Sequence, residues 1–217
     1  MTPRSWYSDG MEELPVNIDY IRTALSGHRS EQLREFPVIR AAVLLPLLEA
    51  DGEPCLLFEE RNADIPQGGE ICFPGGHVED GETPEDAALR ETAEELLLKP
   101  EQIEPIAPLH VLSGERGREI HSFLGALRGY GGTWEAAEVS RTFAVPLDWF
   151  RRNPPEVYET RLTVAAGEKF PYALIPGGRA YPFAAGRENV YFYRRPEGVI
   201  WGLTAKLLYH FLKLLED

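Results

Sequence analysis

The sequence is poor in cysteine, in positive charge and in long apolar runs. Its 217 residues include 2 cysteines, and 22 Lys and Arg stand against 35 Asp and Glu, a formal net charge of -13. This balance argues against a nucleic-acid partner and against an anionic membrane surface. No run approaches the roughly 18 apolar residues of a membrane-spanning helix, and the N-terminus has no apolar segment like that of a signal peptide. We therefore expect a cytoplasmic protein with no membrane partner.

The two cysteines, Cys55 and Cys72, lie in apolar, strand-like runs. We expect both to be reduced core residues and not a disulfide or a zinc pair. With 43% hydrophobic residues the chain can bury one sizeable core. We predict an N-terminal arm and helix over residues 1–36 and one main domain over residues 37–217, ending in a C-terminal helix. The leading helix can pack on that domain or on a second subunit, so a homodimer stays open.

Hydrophobic patterns and turn residues predict the order of the elements. A leading helix over residues 17–26 is followed by a hairpin of two strands around Asp51-Gly52. The next strand, residues 71–74, enters Gly75 and Gly76, and a helix runs from Thr83 to Leu98. Further strands are predicted at residues 103–112, 120–127, 142–145, 157–164 and 190–193, and a last helix opens at residue 199.

The helix after the two glycines carries crowded negative charge. Glu91, Glu94 and Glu95 have the spacing that places three side chains on one helix face, and only Arg90 is nearby to offset them. One explanation is a solvated acidic face. The other is a site for divalent cations, because Mg²⁺ and Mn²⁺ favour oxygen ligands and relieve the repulsion between carboxylates.

The spacing of the whole segment decides between these explanations. The fixed positions resemble the Nudix box of the Nudix hydrolases residue by residue, and they are Gly76, Glu82, Arg90, Glu91, Glu94 and Glu95. Thr92 and Leu97 depart from that pattern, since the box usually has a bulky aliphatic residue and a glycine there. The resemblance implies an α/β fold, the Nudix α/β/α sandwich with a mixed curved sheet.

The same resemblance assigns roles to the site residues. It implies Mg²⁺ or Mn²⁺ held by Glu91, Glu94 and Glu95, with the backbone carbonyl of Gly75 in support. Arg90 is expected to pair with Glu82, which can also act behind the direct ligands. The general base is expected to be a carboxylate of the box or of the loop before the strand at 142–145, with two residues as rivals there, Glu138 and Glu135.

Three further segments resemble the coenzyme A diphosphatases of the Nudix superfamily: Phe73-Pro-Gly-Gly76, Phe143-Ala-Val-Pro-Leu147 and Ile200-Trp-Gly-Leu-Thr-Ala205. The resemblance implies hydrolysis of coenzyme A or acyl-coenzyme A to 3′,5′-ADP and 4′-phosphopantetheine. That family usually has a Leu-Arg-x-His element before the glycines, whereas here Gln67 stands at the His position. Another nucleoside diphosphate, such as ADP-ribose or NADH, is the second interpretation, and a non-catalytic nucleotide-binding regulator is the third.

Residues that bind the substrate are less clearly marked. Six arginines are candidates for the 3′-phosphate of coenzyme A, each with a surface charge as the alternative: Arg40, Arg61, Arg179, Arg187, Arg194 and Arg195. Six aromatic residues could wall an adenine pocket, although aromatic residues on strands belong more often to the core: Phe170, Tyr172, Tyr181, Phe183, Tyr191 and Tyr193.

Overall fold

A computed structural model describes residues 17–29, 38–114 and 117–216. These fall into two compact units, within Met1–Glu35 and Phe36–Asp217. In the first unit, helix α1 (Ile18–Ala24) begins where Asn17 caps it and accepts a hydrogen bond from the Tyr20 backbone N–H at 2.9 Å. The predicted helix at 17–26 is thus present. The expected arm, residues 1–15, lies outside the described residues, and the division into domains at residue 36 stays a prediction.

The second unit contains one large mixed sheet. Its central order is β3-β2-β1-β6-β5, with β4 paired to β1 and β7 paired to β2. Strands β1 and β6 are parallel, whereas the other pairs are antiparallel, which confirms the mixed sheet of the predicted α/β fold. The strands are β1 (Ile39–Ala50), β2 (Glu53–Arg61), β3 (Ile71–Cys72), β4 (Gly75–His77), β5 (Ile103–Ser113), β6 (Arg118–Leu127) and β7 (Val139–Pro146).

The predicted hairpin joins β1 to β2. Asp51 and Gly52 form its two-residue turn with φ of 52° and 78°. Positive φ at both positions matches the turn whose twist suits a two-residue hairpin, and Asp followed by Gly tolerates it best. The strand pairing continues from Ala50 opposite Glu53 to Leu47 opposite Leu56.

The described part of this unit also contains a smaller sheet and three α-helices. Strands β8 (Glu156–Thr163), β9 (Ala185–Arg195) and β10 (Gly198–Trp201) pair antiparallel in the order β10-β9-β8. The helices are α2 (Pro84–Glu95), α3 (Leu147–Arg152) and α4 (Gly202–Leu214). The prediction that the last helix opens at residue 199 is wrong, because residues 198–201 pair with β9 as a strand. No helix in the described part of the chain is long and apolar enough to cross a membrane.

The core lies on both faces of the large sheet. Successive residues of β1 point to opposite faces, so Leu44 packs with Ala88 and Leu96 of the α2 region, while Leu45 packs with Phe150 of α3 and Leu208 of α4. Helices therefore cover both faces, as in the predicted α/β/α sandwich. Two of the aromatic residues considered for an adenine pocket are core residues instead, Tyr191 and Tyr193.

Candidate active site

Helix α2 begins as predicted and ends earlier. Thr83 caps it by accepting a hydrogen bond from the Asp86 backbone N–H at 3.2 Å, and Pro84 occupies the first position. The predicted end at Leu98 is wrong, because the helix ends at Glu95 and Leu97 adopts the left-handed conformation with φ of 52°. Leu97 thus turns the chain where the box usually has glycine. The Thr133 hydroxyl donates to the Leu96 carbonyl at 2.7 Å and fixes this turn to a neighbouring loop.

The three glutamates of α2 that were predicted to bind metal have different surroundings. Glu95 is 3% exposed and lies on the buried side with Ala88 and Thr92. Its Oε2 accepts a hydrogen bond from the Gly75 backbone N–H at 2.9 Å. The side chains of Glu91 and Glu94 are 18% and 62% exposed. The structure therefore places Glu91 and Glu95 beside Gly75 and Gly76, whereas the side chain of Glu94 is mostly exposed to solvent.

Arg90 links the acidic loop to the helix. Its Nε donates to Glu82 Oε1 at 3.0 Å and its Nη2 to Glu82 Oε2 at 3.2 Å, a two-point contact that the sequence predicts. Its Nη1 lies 3.0 Å from Glu91 Oε1 and 3.2 Å from Glu94 Oε2. The Nη2 group also donates to the His77 carbonyl at 3.2 Å. The hydrogen bond from Arg90 lowers the pKa of Glu82, so this carboxylate is held ionised.

Gly75 and Gly76 form a strand that sequence patterns do not reveal. They belong to β4, which pairs with residues 41–43 of β1. A Cβ at Gly75 would lie 2.3 Å from the Ala42 carbonyl oxygen, and one at Gly76 would lie 2.2 Å from Glu91 Oε1. The first glycine therefore allows the backbones to approach, and the second leaves room for the Glu91 carboxylate.

A further carboxylate, Glu59 of β2, acts on this group, and it lies outside every motif recognised in the sequence. Glu59 is 1% exposed, and its Oε1 accepts a hydrogen bond from the Cys72 thiol at 3.3 Å. Its Oε2 has no hydrogen-bond partner among the described residues. Two features of the sequence could have indicated that Glu59 is buried. It directly follows the apolar run 55–58, and side chains along a strand alternate between the two faces. Both cysteines are free as predicted, but Cys72 is only partly buried and lines a cavity.

Burial and mutual repulsion perturb these carboxyl groups. Burial raises the pKa of Glu59 and of Glu95, and the charges of Glu91 and Glu138 raise both further. The charge of Glu59 also raises the pKa of Glu95, whereas the Cys72 thiol and Arg61 oppose the shift at Glu59. Burial also raises the pKa of Glu91, an effect that the nearby Arg90 opposes. Crowded carboxylates with an unpartnered buried oxygen suit Mg²⁺ or Mn²⁺. Within the described residues no group of three His, Cys, Asp or Glu side chains is arranged to hold a metal ion. Arg90 and the Gly75 N–H engage the carboxylates of Glu91 and Glu95.

The two rivals for the general base differ in their surroundings. The charge of Glu138 contributes to the raised pKa of Glu59, Glu91 and Glu95. The carboxylate of Glu135 instead accepts a hydrogen bond from the Ala137 backbone N–H at 3.2 Å within its own loop. Of the two, Glu138 is therefore the loop carboxylate whose charge acts on the cluster.

A cavity of about 530 Å³ opens beside the glycines. Its walls combine apolar side chains, such as Phe73 and Trp201, with polar ones. The polar part includes Arg61, Arg118 and Gln67. Such a mixture suits a ligand with both apolar and anionic parts.

Only one of the six predicted arginines, Arg61, lines this cavity. Arg179 lies over the Tyr172 ring, and the other four form ion pairs with glutamates, namely Arg40 with Glu119, Arg187 with Glu159, Arg194 with Glu156 and Arg195 with Glu197. Arg118 also lines the cavity and was missed, because its place depends on the parallel pairing of β6 with β1. Neither Arg61 nor Arg118 has an ion-pair partner among the described residues.

Comparison with known proteins agrees with this geometry. The NUDIX domain family model matches residues 38–165, more than half of the chain. The mouse peroxisomal coenzyme A diphosphatase NUDT7 is 34% identical over 132 residues, which cover 59% of this chain and 55% of the mouse protein. Nudix hydrolase 3 of Caenorhabditis elegans is 27% identical over 181 residues, or 81% and 72% of the two chains.

A third relative is an uncharacterized Nudix hydrolase, NudL, of Photorhabdus laumondii. It is 27% identical over 183 residues, which cover 81% of this chain and 84% of that protein. The match thus spans about half of the mouse protein and most of the other two relatives. The resemblance seen in the box residues is confirmed. The chain is a member of the Nudix hydrolase family.

Proposed function

We propose that this protein is a metal-dependent diphosphatase of nucleoside diphosphate derivatives, with coenzyme A or acyl-coenzyme A as the favoured substrate. The products would be 3′,5′-ADP and 4′-phosphopantetheine. One observation carries the proposal: Glu91 and Glu95, with Glu59 opposite, converge on the Gly75-Gly76 strand at the wall of a cavity that contains two arginines. A diphosphate bound in that cavity would lie beside the carboxylates.

The proposed roles follow from these surroundings. Glu91, Glu94 and Glu95 would hold Mg²⁺ or Mn²⁺, supported by the Gly75 carbonyl. Such a cation neutralises phosphate charge and acts as a Lewis acid. Arg90 orients the box by its contacts with Glu82 and with the neighbouring glutamates.

Glu138 would take a proton from the attacking water on its carboxylate oxygen. Its exposed side chain and its electrostatic effect on the buried carboxyls support this role. The proton transfer needs a base that substrate and solvent can reach, and a buried carboxylate such as Glu95 lacks that access.

The preference for coenzyme A rests on the cavity and on the similarity to the mouse enzyme. Arg61 and Arg118 provide positive charge for the 3′-phosphate, and Phe73 and Trp201 provide apolar surface for adenine or for the pantetheine arm. A second candidate substrate is ADP-ribose or NADH, because Gln67 lines the cavity where the coenzyme A diphosphatases usually carry His. The non-catalytic alternative is disfavoured, because all the charged residues of the box are present.

A substrate panel tests the proposal. The purified protein is assayed with Mg²⁺ or Mn²⁺ on coenzyme A, dephospho-coenzyme A, ADP-ribose and NADH, and the products are identified by mass. We expect coenzyme A to be cleaved fastest, and Arg118→Gln to reduce that rate about tenfold or more while leaving dephospho-coenzyme A within about twofold. The matched control is Arg128→Gln. Arg128 is an exposed arginine that follows β6 and pairs with Glu104 of β5, at the opposite end of these two strands from Arg118.

Other outcomes are equally informative. Faster cleavage of ADP-ribose or NADH would replace coenzyme A by the second candidate. Binding of nucleotides without cleavage, with either metal, would favour the regulator. We also propose a cytoplasmic location, supported by the two free cysteines, and the homodimer stays a prediction for a measurement of mass in solution.

A further inference from the structure

We infer that Glu59 is an additional acidic residue of the metal site, contributed by strand β2 and not by the box. This inference rests on the proposed metal-dependent function. It assigns to Glu59 the task of binding the divalent cation from the sheet side, opposite the glutamates of helix α2. The box motif does not include this position, because Glu59 lies 17 residues before Gly76, the first fixed residue of the box.

Glu59 is a buried carboxylate whose hydrogen bonding is incomplete. Glu59 is 1% exposed, and only its Oε1 has a hydrogen-bond partner, the Cys72 thiol at 3.3 Å. Its Oε2 is buried with none among the described residues. A buried carboxyl oxygen without a partner is costly, and most such oxygens in proteins are satisfied. The burial of Glu59 therefore destabilises the fold, and a function other than stability would explain its presence.

The charges that act on Glu59 are mainly acidic. The groups that act on Glu59 electrostatically include Glu91 and Glu138, and Glu59 in turn acts on Glu95. Against these acids, the positive charge that acts on Glu59 comes from Arg61. Leu57 of β2 packs in one cluster with Ala88 of α2, and strand alternation places Glu59 on the same face as Leu57, so the strand and the helix contribute carboxylates to one region. A divalent cation between them relieves the repulsion on both sides at once.

In Glu59 and in Glu95 a neutral donor holds one carboxylate oxygen. The Cys72 thiol donates to Oε1 of Glu59, and the Gly75 N–H donates to Oε2 of Glu95. One oxygen of each carboxylate is therefore fixed by a neutral donor, and the other remains for a cation. Neutral donors that orient a ligand and leave its second oxygen available are typical of the surroundings of metal sites.

The competing explanation is that Glu59 serves only to accept the Cys72 thiol. In that case removal of the charge would change stability and leave metal binding as it was. The test is therefore a titration of Mn²⁺ by calorimetry, with the free ion counted by its electron paramagnetic resonance signal. Thermal unfolding of the metal-free protein is measured in parallel.

The main variant is Glu59→Gln, which keeps the shape and the acceptor for Cys72. We expect it to weaken Mn²⁺ binding about 10- to 100-fold and to raise the unfolding temperature of the metal-free protein. The matched control is Glu60→Gln, the next residue, which pairs with Arg141 at 2.8 Å. It should leave Mn²⁺ binding within about twofold, because Glu60 points away from the cluster.

A Mn²⁺ affinity of Glu59→Gln equal to that of the unchanged protein would overturn the inference. Absence of Mn²⁺ binding by the unchanged protein would overturn the proposed function itself, so the two failures are distinguishable. Glu59→Asp covers the case in which the glutamine variant does not fold. It retains the charge on a shorter side chain, and an affinity within about twofold of the parent would also count against a direct role.

Discussion

Replacement of Gly76 by alanine should separate the chemistry of this site from its stability. The added Cβ would lie 2.2 Å from Oε1 and 2.3 Å from Cδ of Glu91. Both atoms belong to the end of a flexible side chain, so the carboxylate can rotate away while the backbone stays in place. The backbone of Gly76 has no positive φ, hence alanine fits its conformation. The predicted consequence is a folded protein whose Glu91 no longer faces the glycine strand.

The expected magnitudes follow from these contacts. A displaced Glu91 rotamer costs about 0.5–1.5 kcal/mol, and loss of its ion pair with Arg90 costs less than about 1 kcal/mol. Replacing glycine by alanine in a strand stabilises the protein by about 0.5–1 kcal/mol, because alanine lowers the conformational entropy of the unfolded chain. The free energy of unfolding should therefore change by about 1 kcal/mol or less, which is about 2–4 °C in the unfolding temperature. The value of kcat/KM should fall about 10²-fold or more, as for loss of one electrostatic stabiliser.

Gly75→Ala is the matched comparison. Its Cβ would lie 2.3 Å from the Ala42 carbonyl oxygen and 2.7 Å from the Val43 Cα, both in β1. Backbone atoms in the middle of a sheet cannot rotate away, so this variant should lose about 3 kcal/mol or more. Urea unfolding and steady-state kinetics on both variants provide the measurements. A folded Gly76→Ala protein with kcat/KM within a few-fold of the parent would refute the assignment of Glu91.

Three further predictions follow from other contacts. Arg90→Lys should lower kcat/KM about tenfold, because lysine cannot contact both oxygens of Glu82; an unchanged steady-state rate would contradict this. Burial raises the pKa of Glu59 and Glu95 in the folded protein above the unfolded value near 4.3. The folded protein therefore binds these protons more tightly than the unfolded chain. The resulting stabilisation is complete below about pH 4 and is lost as the pH rises through the raised pKa values. The metal-free protein should therefore unfold at lower temperature at pH 8 than at pH 5, and Glu95→Gln should reduce that difference. Thr133→Val should cost about 1 kcal/mol in urea unfolding, because it removes the hydrogen bond to the end of α2.

Local signals predicted the parts of the fold that depend on local interactions. The hairpin is encoded by Asp51-Gly52 between two apolar strands, and the start of α2 by Thr83 and Pro84. The pairing of Arg90 with a glutamate eight residues earlier was predictable because the motif fixes both positions. In these cases the relevant partners are near in sequence, so periodicity and turn chemistry carry the information.

Long-range contacts account for what the sequence did not reveal. Glu59 lies near Glu95 only because α2 packs on the face of the sheet to which Leu57 of β2 points, and no local pattern contains that contact. Arg118 reaches the cavity through the parallel pairing of β6 with β1. Residues 198–201 form a strand because β9 provides a partner, although their sequence continues directly into a helix.

The end of helix α2 shows how tertiary contacts override local preference at the site. Leu97 adopts a left-handed conformation that costs an ordinary residue about 1–2 kcal/mol, although the chain could remain helical until Pro100. The turn is stabilised by burial of Leu96 and by the bond from Thr133 to its carbonyl. Glu95 is the last residue of the helix, so this turn fixes the position from which its carboxylate reaches the Gly75 N–H. The strain at Leu97 is therefore coupled to the geometry of the carboxylates, because both depend on where the helix ends.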